Sequence, residues 1–375
     1  MSFLKKSTNY LDTRFMKLAL ALARRGLGNV SPNPAVGCVL VSPTGVLISR
    51  GWTQTGGRPH AETEALVRAG NKAAGATVYV TLEPCSHVGE TTSCAVALIK
   101  AGITRVVSAM VDPDPRVSGR GHDLLMSAGI EVTEGVCATE SRVLNAGFIM
   151  HREQGRPLVT LKTATTLDGC IATNIGESKW ITGTLSRNRA HMIRMSHDGI
   201  IVGIGTVLAD NPELSCRLPG LKTRSPVRII IDKRLKLPLK SKLVSTSREI
   251  PTWVIVSEEV GHEHRDKYQA LGVSVIPVAL EDGRNFVPIS ILRALAKRGL
   301  TRVLVEGGSR IAASFLEAGL VDRLEWFRAS SIIGGDGLSA IAPYGVEMLS
   351  NACQFVMISA QVLGDDRLET YCAAR

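Results

Sequence analysis

An α/β architecture in two layered domains is predicted by three features of the sequence. The chain has 375 residues, more than one typical core needs. Short β-branched runs alternate with helix-like stretches over most of its length. That alternation is broken once, by a polar stretch near residues 150–156.

The elements follow in order. The first residues carry Lys5 and Lys6, then an apolar stretch over 15–23 that contains Lys17 and is closed by Arg24 and Arg25 with no small-residue cleavage site. This predicts an amphipathic helix of a cytoplasmic protein rather than a signal peptide. Strands are predicted over 78–82, 105–110 and 129–132, with helices over 61–69 and 94–101. Residues 151–157 hold a Gly and a Pro without apolar periodicity, the pattern of a linker, so the domains are expected to span 1–152 and 153–375. The alternation then restarts with strands over 158–163, 199–203, 227–231, 252–256, 273–278 and 301–305 and helices over 187–196, 289–296 and 309–318.

Composition narrows the function. With 45% hydrophobic and 21% charged residues the chain reads as a folded globular protein, and no apolar run is long enough to cross a bilayer. Eight cysteines are scattered rather than clustered, which favours reduced thiols or metal ligation over a disulfide framework. The net charge of +10 is dispersed and only 4% of residues are aromatic, a pattern that suits small phosphorylated ligands rather than nucleic acid.

The sharpest local signal is His60-Ala61-Glu62, followed by Pro84-Cys85 and then Cys94. One imidazole and two thiolates supply the three protein ligands of a catalytic zinc and leave a fourth position open. A carboxylate two residues from His60, at the start of a helix, points past the metal and can shuttle protons from the attacking water to the ring nitrogen and the leaving amine. The pattern follows the zinc-deaminase signature except that eight residues, 86–93, separate the two cysteines. A purely structural zinc site would normally bring a fourth ligand, for which His87 is the one nearby candidate.

In the second half, residues 303–309 run from an apolar strand through Gly307-Gly308 into a helix. Such a turn lets backbone N–H groups approach a phosphate at a helix N-terminus. The Rossmann G-x-G-x-x-G fingerprint is absent.

The stretches Asn33-Pro34-Ala35-Val36-Gly37, Pro59-His60-Ala61-Glu62, Thr81 to His87 and Val111-Asp112-Pro113-Asp114-Pro115 resemble the bifunctional riboflavin-biosynthesis deaminase/reductase family. So, in order, do Lys162 to Gly169, Glu177 to Thr182, Val202 to Pro212 and Val305-Glu306-Gly307-Gly308. The resemblance implies a cytidine-deaminase-like three-layer domain followed by a dihydrofolate-reductase-like domain. It implies zinc on His60, Cys85 and Cys94, Glu62 as proton shuttle, and Asn33 and Asp112 against the substrate ring. In the second domain it implies NADPH at Ala164, Trp180, Thr206, Asp210, Lys233 and the run Gly308, Ser309, Arg310, Ile311, Ala312, Ala313 and Ser314. Ser178, Arg194, Leu214, Arg217 and Glu306 would face the substrate, with Arg194 and Arg217 gripping a ribosyl phosphate and Trp180 forming a wall near the nicotinamide.

The implied reactions are replacement of the ring amine of a 2,5-diamino-6-ribosylamino-pyrimidinone phosphate by oxygen, then reduction of the ribosyl chain to ribityl. Association into a homo-oligomer, dimer or tetramer, is implied as well. Two departures bear on the first site. Thr53 stands where some members have His. Glu90-Thr91-Thr92-Ser93 stands where a basic residue and Thr-Pro-Pro are usual, leaving Arg58 or Arg120 as substitutes for a phosphate contact. In the second half, Thr166 replaces a usual Ser, and residues 328–333 depart from a Pro-Lys-Leu-Leu type segment. The competing readings are a deaminase with an inactive second half, a nucleic-acid base deaminase, and a zinc-stabilised binding module in which Glu62 has no role.

Overall fold

The structure, a computed structural model, describes residues 2–86, 92–115, 117–281 and 285–374, with backbone alone over 2–9. It divides into two units, Met1–Gly155 and Arg156–Arg375.

In the first unit the elements are α1 (Ser2–Ala23), β1 (Gly37–Val41), β2 (Leu47–Trp52), α2 (Ala61–Ala69), β3 (Thr77–Val80), α3 (Cys94–Lys100), β4 (Arg105–Ser108), α4 (Arg120–Ser127), β5 (Glu131–Thr133), α5 (Ala138–Leu144) and α6 (Ala146–Gln154). The sheet order is β2-β1-β3-β4-β5, with β1 antiparallel to both neighbours and β3, β4 and β5 parallel. Successive side chains of a strand point to opposite faces. Cys38 and Leu40 of β1 therefore pack with Ala65, Leu98, Leu125 and Phe148, while Val39 and Val41 pack with Phe15, Met16, Leu20 and Leu144. Helices cover both faces, giving three layers. Gly37 is the point of closest approach, since a Cβ there would lie 1.9 Å from the Ala19 carbonyl oxygen of α1.

β1 and β2 escape the sequence reading because both are short and interrupted, β1 opening on a glycine and β2 carrying Arg50 and Gly51. The linker expected over 151–157 needs correction. Residues 151–154 complete the last turn of α6, and the helix ends at Gly155, whose φ of 64° is the left-handed cap glycine favours.

The second unit comprises β6 (Leu158–Thr165), β7 (Cys170–Ala172), α7 (Thr184–Met195), β8 (Gly199–Gly203), α8 (Ile204–Asp210), β9 (Val227–Ile231), α9 (Lys242–Ser245), β10 (Thr252–Ser257), α10 (His262–Ala270), β11 (Val273–Val278), β12 (Leu280–Glu281), β13 (Asn285–Phe286), α11 (Pro288–Lys297), β14 (Arg302–Gly307), α12 (Ser309–Glu317), β15 (Arg323–Arg328), β16 (Leu338–Ser339), β17 (Phe355–Leu363) and β18 (Asp366–Ala373). Its main sheet runs β11-β10-β9-β8-β14-β6-β15-β18-β17, parallel as far as β15 and antiparallel at β18 and β17. Ile201 packs towards Leu292, Leu295 and Phe315 of α11 and α12, whereas Ile200 and Val202 pack towards Leu235, Leu243 and Val254. All six predicted strands are present. The C-terminal hairpin and β15 were not foreseen, because β15 and β18 mix charged with apolar residues and β17 is largely exposed, so none carries a buried apolar run.

Candidate functional site

His60 is the N-cap of α2 with extended backbone, so its ring turns away from the helix while Glu62 sits in the first turn. Cys94 opens α3, whose N-cap Ser93 accepts from the Val96 N–H at 3.4 Å. Cys85 lies after β3, and its Sγ accepts from the Cys94 backbone N–H at 3.3 Å. The three candidate ligand atoms all lie within 4.8 Å of one another, with His60 Nδ1 at 3.3 Å from Cys94 Sγ and 3.7 Å from Cys85 Sγ. A tetrahedral zinc at about 2.0 Å from nitrogen and about 2.3 Å from sulfur would separate those atoms by roughly 3.5 Å, so the donor set fits the ion. The hydrogen bond from Cys94 draws the Cys85 thiol down towards thiolate, the form a metal needs.

His60 and Cys85 line a pocket that also holds Asn33, Thr53, Arg58, Glu62, Glu83, Asp112, Asp114, Phe148 and Arg152, and Cys94 is buried beside them. Burial lifts the Glu62 carboxyl to about 7, where it can take and return a proton near neutrality. Burial likewise raises Asp112, to about 6. The sequence motifs thus bring His60, Glu62, Cys85, Asn33 and Asp112 to one cavity. Arg58 lines it too; Arg120 is not among the lining residues. His87 and Glu90 lie outside the described residues.

Two features of this pocket went unread in the sequence. Glu83, buried, accepts backbone N–H groups of Asp112, Gly119 and Gly121 at 3.1, 2.9 and 2.7 Å, and so fixes the loop that presents Asp112. A Cβ on Gly121 would meet the Pro84 carbonyl oxygen at 2.0 Å. Thr53 holds the strand entry behind Asn33, accepting from the Val36 N–H at 2.9 Å and donating to the Pro34 carbonyl at 3.1 Å.

In the second unit the turn from β14 to α12 passes through Gly307 and Gly308, the latter at φ 83°. A Cβ on Gly307 would come within 2.9 Å of Val202 and 3.1 Å of Thr206. The first N–H groups of α12 have no intrahelical acceptor and open a cradle next to Thr206, which suits a cofactor phosphate. Ala312 and Ala313 are buried and serve packing rather than contact, while Ser309, Arg310 and Ser314 remain accessible. The Leu214 side chain is likewise buried in the core, so only its backbone, at φ 53°, is available to a ligand.

Arg194, expected as one arm of a phosphate grip, is engaged within the protein. Its Nε and Nη2 donate to the two carboxylate oxygens of Glu306 at 2.8 and 2.6 Å, and Nη1 donates to the Ser215 carbonyl at 3.0 Å. Each of the three nitrogens thus makes one bond within the protein, and the pair joins β14 to α7. Arg217 remains exposed, and its backbone N–H points to His191 Nδ1 at 3.5 Å. Burial, with Arg194 and Arg217 close by, depresses His191 to about 4 and leaves it neutral at pH 7. Lys162 of β6 lies 5.6 Å over the Phe327 ring, its pKa lowered by burial and partly restored by Glu306.

Trp180 and Ser178 lie on the loop that precedes α7. Trp180 is 67% exposed beneath the Arg187 guanidinium and lines a separate open hollow with Asp366. Asp366 accepts from the Gly183 N–H at 2.7 Å and Ser186 Oγ at 2.6 Å, pinning the start of α7 next to that loop. Ala164 is half-buried against the Ile193, Leu304 and Phe327 cluster, and Asp210 and Lys233 are at least partly exposed.

Comparison with known proteins places this geometry. Residues 9–110 match the cytidine and deoxycytidylate deaminase zinc-binding region, and residues 157–366 match the RibD C-terminal domain. The riboflavin biosynthesis protein RibD of Aquifex aeolicus is 43% identical over 95% of this chain and 97% of its own. The chain belongs to the RibD family. RibD of Escherichia coli is 38% identical over 95% of this chain and 97% of its own. The RibD structure from Acinetobacter baumannii matches with a TM-score of 0.87 at 35% identity, covering 98% of this chain and 100% of that one. A Thermotoga maritima structure described as a diaminohydroxyphosphoribosylaminopyrimidine deaminase and 5-amino-6-(5-phosphoribosylamino)uracil reductase matches at 0.85 and 38% identity, with the same coverage. The RibD assignment accounts for both halves: a cytidine-deaminase-like domain with a zinc-binding set, followed by a reductase domain.

Proposed function

We propose that this chain performs two consecutive steps of riboflavin biosynthesis, hydrolytic deamination of the diamino ribosylaminopyrimidinone phosphate and NADPH-dependent reduction of the resulting ribosyl chain. The observation that carries the first step is the His60, Cys85 and Cys94 donor set, with His60, Cys85 and buried Glu62 lining one pocket. We assign deamination to Met1–Gly155 and reduction to Arg156–Arg375.

His60, Cys85 and Cys94 would hold a zinc ion, which would supply the Lewis acid that makes water nucleophilic at neutral pH. Glu62 takes the proton of the attacking water and delivers protons to the ring nitrogen and the departing ammonia. Asn33 and Asp112 orient the ring, and Glu83 keeps Asp112 in place.

In the second unit a bound NADPH would supply the hydride that reduces C1 of the opened ribosyl chain. The N-terminus of α12 with Thr206 takes a cofactor phosphate, and Ala164, Trp180, Asp210 and Lys233 complete the assigned contacts. Arg217 faces the substrate phosphate near Lys162 and the Arg194–Glu306 pair, where cations outnumber the single carboxylate. Ser178 and the backbone of Leu214 are assigned to the substrate.

Glu62→Gln tests the first assignment. Ammonia release is expected to fall by roughly 10²–10⁴-fold with zinc content unchanged. Undiminished release would remove Glu62 from the chemistry.

We also read the chain as a cytoplasmic homo-oligomer. All eight cysteines are free, as a reducing compartment would keep them, and no helix among the described residues is long and apolar enough to cross a membrane. β17 is an edge strand whose Val356, Ile358 and Val362 are 55%, 60% and 76% exposed. An apolar, unpaired edge is a template for a second copy of the same strand.

A further inference from the structure

The substrate of the first site carries a phosphate, and a phosphate needs a cation. Of the two substitutes the sequence offered for the basic residue absent at position 90, only Arg58 lines the deaminase pocket. The pocket adds a second guanidinium, that of Arg152, from the last turn of α6.

Its surroundings hold the head group in place without consuming it. The guanidinium carbon lies 5.3 Å over the Phe148 ring, which restricts its swing. Its Nε is 3.7 Å from Asp114 Oδ2, beyond hydrogen-bonding distance, so the pair is a loose electrostatic contact that orients one edge of the fork. The Arg152 side chain is 31% exposed.

Charge balance gives the second argument. Glu62, Glu83, Asp112 and Asp114 all line this pocket. Three backbone N–H groups stabilise Glu83, but the other carboxylates would repel a phosphate unless cations stood among them. Arg58 and Arg152 are the arginines among the described residues that line it, and a guanidinium fork matches phosphate oxygens bidentately.

We propose that Arg152 is the phosphate-binding residue of the deaminase pocket in this chain, with Arg58 assisting. The proposal rests on the deaminase reading above and names the residue that sets its preference for a phosphorylated substrate.

The test compares ammonia release from the diamino ribosylaminopyrimidinone phosphate and from its dephosphorylated riboside, using the full zinc-loaded chain and its Arg152→Gln and Arg152→Lys variants. In Arg152→Gln the preference for the phosphorylated compound, as a ratio of kcat/KM values, is expected to fall roughly tenfold or more, through KM, as loss of a charge-assisted hydrogen bond implies. Arg152→Lys, which keeps the charge and loses the fork, should retain part of that preference. Variants that discriminate as well as the unaltered chain, or that lose activity on both compounds equally, overturn the proposal while leaving the deaminase reading intact. An unaltered chain that releases ammonia from neither compound overturns both.

Discussion

Glu306 illustrates what a residue-by-residue reading of sequence reaches and what it misses. The family resemblance marks both it and Arg194 as site residues, but nothing in the sequence says that the two bind each other across 112 positions. The contact is legible only once β14 and α7 are packed together. Burial alone would raise the Glu306 carboxyl; Arg194, its hydrogen bonds and Lys162 overcome this and hold it at about 2, below its ordinary 4.5. A depressed folded-state pKa contributes stability that is fully present above the unfolded value and is lost as pH falls through the folded one. The stability difference between the unaltered chain and Glu306→Gln, measured by urea unfolding, should therefore be constant above pH 4.5 and shrink as pH drops from there towards 2. A difference that stays constant between pH 5 and about 3 would argue against the pair. The zinc set is the opposite case: His60, Glu62 and Cys94 lie at helix starts and Cys85 follows a strand, so short local motifs mark them.

At the scale of elements, the strands that announce themselves are the parallel ones buried on both faces, such as β8, β10 and β14. α6 was hidden by its polar last turn, His151 to Gln154, which the sequence presents as linker and the structure as helix up to the Gly155 cap. That misreading concealed Arg152. The C-terminal hairpin was hidden for a different reason: β17 is largely exposed, and an edge strand has little buried pattern to read. If β17 pairs with a second copy, Ile358→Lys together with Val362→Lys should convert the native oligomer to monomer in sedimentation experiments without unfolding it. An unaltered chain that sediments as a monomer would contradict this use of the edge.

For the whole molecule, two-domain organisation was legible from length and from the single interruption in the alternation, and the division falls between Gly155 and Arg156. What the sequence could not convey is how residues far apart converge: Asn33, His60, Cys85, Asp112 and Arg152 line one pocket because β1, β3 and β4 lie side by side in a sheet whose one face α6 covers. The central claim is that two complete sites act in series. Its most direct test gives the purified chain the diamino ribosylaminopyrimidinone phosphate and NADPH, and follows ammonia release and NADPH oxidation separately, before and after chelation of zinc. The account predicts that chelation stops both signals from this substrate, and that NADPH oxidation returns when the deaminated compound is supplied. NADPH oxidation that continues from the diamino compound without ammonia release would contradict it.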